Sequence, residues 1–164
     1  MLQQTQVVTV IPYFNRFIKH IPNLEALAKY DDQKLIKLWE GLGYYSRVKN
    51  LKKTAQIVIK DFKKNLPDNT LDLKSLPGIG EYTASAIMAI AFNKPVIPLD
   101  GNIERVLKRY LYLKNENQIH KDNLIKQKKI FGTSLRSSDY AQALMELGAL
   151  ICKPINPNCE RCPI

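Results

Sequence analysis

The segment LPGIGEYTA, residues 76–84, decides the fold that we expect for this chain. The segment 70–75 before it has a helical pattern, and the apolar run 83–92 continues it as a second helix. Gly78 and Gly80 stand in the turn between these helices. Glycine lets a backbone come close to a ligand, and helix N-termini bind anions through their N–H groups. The segment therefore predicts a hairpin of two helices that binds a phosphate.

Two other interpretations of this turn are available. A dinucleotide-binding loop requires a preceding strand and a third glycine, but residues 71–75 have no strand pattern and Thr83 occupies the third position. A plain turn between two helices, without a ligand, stays open as an alternative. A phosphate contact carries no information about base sequence, so it is typical of a protein that scans long nucleic acids.

The net charge of the chain favours a polyanionic partner. Its 164 residues contain 25 Lys and Arg against 15 Asp and Glu, a net charge of +10. Solubility alone is the alternative explanation of this charge. Apolar residues make up 45%, enough for a core, yet no run reaches the ~20 apolar residues of a membrane span. Because no secretory signal is visible either, we expect a cytoplasmic protein.

Apolar residues recur at helical spacing along almost the whole chain, and we see no convincing strand. The pattern predicts an all-α fold of many short helices joined by tight Pro and Gly turns. Besides the two hairpin helices, the predicted helical segments are residues 10–21, 24–28, 35–42, 48–62, 103–111, 124–131 and 140–151.

Candidate catalytic and metal-ligating residues lie at two further places in the sequence. Asp100 follows Gly80 by 20 residues and lies directly before a predicted helix, where an Asp is usually the N-cap. Capping holds a carboxylate ionised at a fixed place, so it is compatible with stabilising a positive charge.

Cys152, Cys159 and Cys162 all lie in the last 13 residues. An odd, clustered set in a cytoplasmic chain argues for metal or cluster ligation over disulfides.

The hairpin followed by Pro, Asp and Gly resembles the helix–hairpin–helix/Gly-Pro-Asp superfamily of DNA glycosylases. The opening MLQQTQ (residues 1–6), the segment GLGYYSR (residues 41–47) and Tyr82 are similar to its adenine DNA glycosylases of the MutY type. This resemblance runs over the whole chain, and it implies a bacterial-type protein associated with the nucleoid. It implies a six-helix-barrel lobe at residues 1–94, with the helix–hairpin–helix at about residues 70–92, and a cluster lobe at residues 95–164.

The resemblance also implies the chemistry. Asp100 would stabilise the oxocarbenium-like sugar as adenine leaves. Relatives that also cleave the DNA backbone have a Lys at the position of Tyr82, which forms a Schiff base with the sugar. Tyrosine has no amine, so a monofunctional glycosylase is expected. The general-acid Glu of the family lies just before the position of Met1, so no residue of this chain is given that role.

The DNA contacts follow from the same resemblance. Gln3, Gln4 and Thr5 would insert into the duplex beside the lesion while adenine is flipped out, and Tyr44 would stack beside 8-oxoguanine. The remaining implied DNA contacts are Arg47, Gly78, Gly80, Thr83 and Asn102. The expected partner is double-stranded DNA with adenine opposite 8-oxoguanine or guanine, bound by a monomer.

The cysteines resemble the ligand loop of a [4Fe–4S] cluster, which needs four thiolates. Cys152, Cys159 and Cys162 would supply three of them, and the family's fourth Cys lies beyond residue 164. The family's domain that recognises 8-oxoguanine also lies beyond this segment. We therefore expect a chain truncated at both ends that is impaired as an enzyme.

Three rival functions stay open. An endonuclease III-like glycosylase with lyase activity is the nearest, although Tyr44, Tyr82 and the opening glutamines argue against it. A helix–hairpin–helix module that binds DNA without catalysis gains weight because no general acid is assigned. An iron–sulfur electron carrier is disfavoured, since three cysteines at the end of a basic chain do not make a protected cluster.

Overall fold

The computed structural model describes residues 1–3, 5–112 and 135–164, and within these ranges every regular element is helical. The α-helices are α1 Val7–His20, α2 Leu24–Lys29, α3 Asp32–Trp39, α4 Ser46–Asp61, α5 Thr70–Ser75, α6 Glu81–Ile90, α7 Gly101–Tyr110 and α8 Ser137–Leu150. A short 3-10 helix follows at Cys159–Arg161. The all-α class is thus confirmed. No helix in these ranges is long and apolar enough to cross a bilayer.

The described residues form two compact units. The first comprises Met1–Pro67 and Leu71–Gly78, and the second comprises Asp68–Thr70 and Ile79–Ile164. These two units are defined by the compactness of the structure, whereas the boundary between residues 94 and 95 is predicted from the lobes of the family. The predicted boundary therefore stays a prediction.

The core of the first unit surrounds a buried tryptophan. Trp39, at the end of α3, is 1% exposed, and the ring of Phe17 from α1 meets it edge-on with centroids 6.2 Å apart. The other buried members of this core are Val10, Ile21, Leu27, Leu35, Leu42, Val48 and Ala55. Each large apolar side chain buried in this way stabilises the fold by about 1.5–3 kcal/mol. The end of α3 is therefore a well-fixed point.

Side-chain caps begin α2 and α3 in this unit. The Asn23 Oδ1 atom accepts a hydrogen bond from the Ala26 amide at 2.8 Å, and the Asp31 Oδ1 atom accepts one from the Lys34 amide at 2.9 Å. Such a cap contributes about 1 kcal/mol. A helix of six residues, as α2 is, depends on a cap and on packing because isolated short helices are marginal in water.

In the second unit, α8 packs against both α6 and α7. The buried core members here are Ile97, Ile103, Val106, Leu107, Leu144 and Leu147. The two helices α7 and α8 approach each other closely at Gly148, where an added Cβ would be 2.7 Å from the Cβ of Asn102. Only glycine permits this separation. The beginning of α7 is thereby fixed against α8.

The helices lie close to their predicted positions, and the predicted helix at 124–131 falls outside the described residues. Burial on α1 differs from the expectation of one buried face. Phe14 is 50% exposed and Ile18 is 45% exposed, while Val10 and Phe17 are buried. Because α1 packs mainly against α3, only part of its apolar face is covered, and the rest is exposed.

Candidate functional site

Gly78 closes the turn of the hairpin on the side of the first unit. Its φ of +80° lies in the left-handed region, which favours glycine. A Cβ added here would also lie 3.0 Å from the Cβ of Asn50 on α4. The Thr54 hydroxyl of the same helix donates to the Pro77 carbonyl at 3.0 Å. The turn therefore favours glycine at this position, and a side chain here would be strained.

Gly80 has a different local structure, in the second unit. It is the N-cap of α6, with φ −91° and ψ −174°, a conformation that any residue adopts. An added Cβ would meet nothing within 4 Å among the described residues. The Gly80 carbonyl accepts the Ala84 amide at 2.9 Å, and no side chain caps the helix from the N-cap position. The first amides of a helix have no acceptor within the helix, so this end of α6 can bind an anion.

Asp100 is the N-cap of α7, as the sequence predicts. Its Oδ1 atom accepts the Ile103 amide at 2.7 Å, and its carbonyl accepts the Glu104 amide at 2.8 Å. The cap uses one carboxylate oxygen, Oδ1, and the side chain is half-buried. A fixed carboxylate of this kind can stabilise a positive charge that develops next to it.

Tyr82 interacts electrostatically with Asp100. Burial is the main cause that raises the pKa of the Tyr82 hydroxyl above its usual value of 10.0, and the charge of Asp100 raises it further. The ring is 38% exposed and stands in the first turn of α6. A neutral hydroxyl therefore faces the field of the carboxylate over the physiological pH range.

Asn102 and Arg105 connect the start of α7 to the cysteine segment. The Arg105 guanidinium donates through Nη2 to the Asn102 Oδ1 atom at 2.9 Å and to the Gly148 carbonyl at 2.6 Å. Its Nε donates to the Cys152 carbonyl at 2.7 Å. One side chain thus holds Asn102, α8 and the first cysteine in a fixed arrangement.

The three cysteines share one segment. Cys152 and Cys162 pack against the core of the second unit, whereas Cys159 is exposed. The Arg109 guanidinium donates to the Cys152 sulfur at 3.3 Å. Thiolates are soft donors suited to iron, yet no group of three or more His, Cys, Asp or Glu within the described ranges is arranged to hold a metal ion. The assignment of these cysteines as ligands of a cluster therefore stays a prediction.

The turn at residues 41–44 presents an aromatic ring to solvent. Gly41, Gly43 and Tyr44 have φ values of +97°, +66° and +46°. An added Cβ at Gly41 would overlap the Tyr13 hydroxyl, and the Trp39 Nε1 atom donates to the Gly43 carbonyl at 3.1 Å. Tyr44 is 65% exposed at the tip. A strained turn that exposes an aromatic ring is typical of a binding element.

Arg47 bonds this turn to the beginning of the chain. Its Nη1 atom donates to the carbonyls of Met1 at 2.9 Å and Gln3 at 2.6 Å. Its Nη2 atom donates to the carbonyls of Leu42 at 2.8 Å and Gly43 at 3.2 Å. The structure thus brings the opening segment and the 41–44 turn together in the first unit.

The family model described as "HhH-GPD superfamily base excision DNA repair protein" matches residues 1–129. Since this match covers most of the chain, the chain belongs to the HhH-GPD superfamily of base excision DNA repair proteins.

Two curated relatives are adenine DNA glycosylases. The adenine DNA glycosylase of Buchnera aphidicola subsp. Baizongia pistaciae is 43% identical over 164 residues, which are 100% of this chain and 47% of that protein. The adenine DNA glycosylase of Mus musculus is 40% identical over 170 residues, with 100% of this chain and 32% of that protein covered. The chain thus spans about half the length of these relatives or less.

Solved structures have the same fold. A thermostable thymine-DNA glycosylase superposes with a TM-score of 0.84 at 28% identity, over 99% of this chain and 76% of that chain. An endonuclease III in a non-covalent DNA complex superposes with a TM-score of 0.80 at 22% identity, over 99% of this chain and 75% of that chain.

Several sequence-predicted site residues thus lie together within each unit. One region of the first unit contains Gln3, Thr5, Tyr44 and Arg47. The second unit contains Tyr82, Thr83, Asp100 and Asn102. The placement of Gln4 lies outside the described residues. Sequence reasoning missed Arg105 and Arg109. Their i, i+4 spacing on α7 is visible in the sequence, but it does not reveal their acceptors.

Proposed function

We propose that this chain carries the DNA-binding and sugar-stabilising parts of an adenine DNA glycosylase. The observation that supports this most directly is Asp100, a carboxylate fixed by its own helix cap and electrostatically coupled to Tyr82. The adenine DNA glycosylases that align over the whole chain support the same base as the leaving group.

In the proposed reaction the bond between C1′ of the sugar and N9 of adenine breaks. Its electron pair leaves with the base, and the sugar acquires positive charge that the Asp100 carboxylate stabilises. Water then adds to C1′ and loses a proton, while adenine departs with a proton from a general acid. We assign that acid to no residue of this chain. A group of this kind commonly supplies ~10²–10⁴-fold in rate.

Tyr82 decides whether the DNA strand is also cut. A lyase needs an amine that forms a Schiff base with the opened sugar. The Tyr82 side chain ends in a phenol and has no amine, so it supplies no such nucleophile. We therefore propose base release without strand cleavage.

The proposed partner is duplex DNA with adenine opposite 8-oxoguanine or guanine. The amides at the start of α6, behind Gly80, would bind a phosphate, and Tyr44 would stack beside the modified base. The exposed fraction of Tyr44, 65%, supports the second contact. A [4Fe–4S] cluster with Cys152, Cys159 and Cys162 among its ligands belongs to the proposal as well, without a role in any step above.

The test uses a chimera in which this chain replaces the aligned 47% of the Buchnera relative. Single-turnover assays would follow adenine release from a duplex with adenine opposite 8-oxoguanine. We expect release without strand cleavage, and we expect Asp100→Asn to abolish release while it leaves duplex binding largely intact.

Two outcomes would contradict the proposal. Strand cleavage at an abasic site by the purified chimera would indicate a lyase. Tight duplex binding by a folded chimera without any base release would indicate a DNA-binding module.

A further inference from the structure

We propose that Arg47 is a positioning residue that holds the opening segment and the 41–44 turn in register, and that it does not itself contact DNA. This inference rests on the proposed function, because it concerns how the 8-oxoguanine-contacting elements are placed. It gives Arg47 a role different from the direct DNA contact that its motif implies.

The hydrogen bonds of Arg47 carry the argument. Nη1 serves the Met1 and Gln3 carbonyls, and Nη2 serves the Leu42 and Gly43 carbonyls. A guanidinium has five N–H donors. The fifth belongs to Nε, which is buried and has no hydrogen-bond partner among the described residues. The donors are thus directed into the protein, and none is left to bind a phosphate well.

Two aromatic rings fix the plane of the same guanidinium. Its Cζ atom lies 5.5 Å from the centroid of Trp39 and 5.6 Å from that of Tyr44. Trp39 is anchored in the core and also donates to the Gly43 carbonyl. Arg47 therefore connects the exposed Tyr44 ring to Trp39 in the core.

Both segments need such support because neither contains much regular structure. Gly43 and Tyr44 have positive φ values, which for Tyr44 is a strained conformation. In the opening segment, the Thr5 amide donates to the Leu2 carbonyl at 3.3 Å. Four carbonyl acceptors in two segments match the planar fork of arginine, whereas the single ammonium of lysine cannot serve them together.

The experiment uses the 164-residue chain and the variants Arg47→Lys, Arg47→Met and, as control, Arg16→Lys. Arg16 belongs to the same unit, stacks over Tyr13 at 4.9 Å and donates to the Leu38 carbonyl, but bonds to neither segment. Binding would be measured across a salt series for an undamaged duplex and for a duplex with adenine opposite 8-oxoguanine. Amide exchange without DNA would be measured by NMR at Thr5 and Leu42.

We expect both Arg47 variants to lose about tenfold or more of the preference for the 8-oxoguanine duplex, because several charge-assisted bonds are lost. The salt dependence on undamaged duplex should not change. Exchange at Thr5 and Leu42 should become faster, and Arg16→Lys should leave all three measurements as in the parent chain.

The contrary outcomes are distinct. If Arg47→Met makes the slope of log K against log salt less negative by about 0.9, Arg47 contacts a phosphate and the proposal is wrong. Unchanged preference and exchange in Arg47→Lys would also overturn it. If the parent chain shows no preference, the proposed function fails while amide exchange still tests the positioning.

Should both Arg47 variants fail to fold, Trp39→Phe serves instead. It removes the Nε1 donor to Gly43 together with part of the buried ring volume, and it keeps an aromatic ring near the guanidinium. We expect a smaller loss of preference in the same direction, and full retention would count against the positioning role.

Discussion

Alanine at Gly78 and alanine at Gly80 form a matched pair that separates folding from DNA binding. The two glycines are only two positions apart, yet their backbones differ. Gly78 has φ +80° and faces Asn50, while Gly80 has φ −91° and faces open space. The same added methyl group should therefore have a different consequence at each position.

The expected stability changes follow from these angles. A residue with a Cβ in the left-handed region costs roughly 1–2 kcal/mol, and the 3.0 Å approach to the Asn50 Cβ adds to this at Gly78. Glycine to alanine at a compatible position instead stabilises by about 0.4–1 kcal/mol. Since 1 kcal/mol shifts Tm by roughly 2–4 °C in a domain of this size, Gly78→Ala should melt several degrees lower and Gly80→Ala slightly higher.

Binding should show the reverse order. The Gly80 methyl would stand at the N-terminus of α6, where a phosphate must approach the amides. Loss of one charge-assisted hydrogen bond, about 1.5 kcal/mol, corresponds to about tenfold in affinity. The loss should be equal on damaged and undamaged duplexes because phosphate contacts carry no sequence information.

Thermal unfolding, followed by circular dichroism, would check the expected changes in stability. Fluorescence anisotropy at one fixed salt concentration would check the expected changes in affinity for duplex DNA. The control is Gly78→Ala measured below its Tm, which should bind DNA as the parent chain does. A Gly80→Ala chain that is stable and binds undamaged duplex with parental affinity would refute the proposed phosphate contact.

Three further changes have definite expectations. Tyr44→Ala should leave affinity for undamaged duplex and stability nearly unchanged, because the ring is 65% exposed, but should reduce the preference for 8-oxoguanine duplex; equal losses on both duplexes would contradict the stacking role. Burial and the charge of Asp100 raise the pKa of Tyr82, so the stability that depends on the neutral phenol is present below pH 10 and is lost as pH rises through the pKa of the folded state. The free energy of unfolding should therefore fall less steeply at alkaline pH in Tyr82→Phe than in the parent chain. The chain has three cysteines, one fewer than a [4Fe–4S] cluster needs, so purified protein should contain less than one cluster's iron per chain, and stable stoichiometric absorbance of a cluster would oppose this expectation.

Local signals made the positions of the helices predictable, although the predicted segments at residues 10–21, 35–42 and 140–151 begin three residues later than α1, α3 and α8 do. Asp100 caps α7 as expected because an N-cap is satisfied within four residues, by the Ile103 amide. The predicted segment at residues 70–75 coincides with α5. The structure also separates the two glycines, which the sequence treats alike: only Gly78 needs glycine for its backbone conformation.

Tertiary contacts were not predictable in the same way. The acceptors of Arg47 include the Met1 carbonyl, 46 positions away, and those of Arg105 include the Cys152 carbonyl, 47 positions away. Main-chain carbonyls carry no side-chain signature, so a sequence cannot show which of them an arginine will bond. The exposed side of α1 was missed for a related reason, because periodicity shows that a helix has an apolar face but not how much of that face a neighbour covers.

The position of Asp100 is set by its own cap and by what holds the helix behind it. Gly148 lets α8 approach Asn102 closely, and Arg105 bonds both to Asn102 and to the Gly148 carbonyl. The same arginine reaches the Cys152 carbonyl, so displacement of the cysteine segment would alter the support of α7. Because electrostatic stabilisation depends on a charge being placed before the reaction, these contacts matter to the proposed chemistry although none of their side chains needs to touch the base.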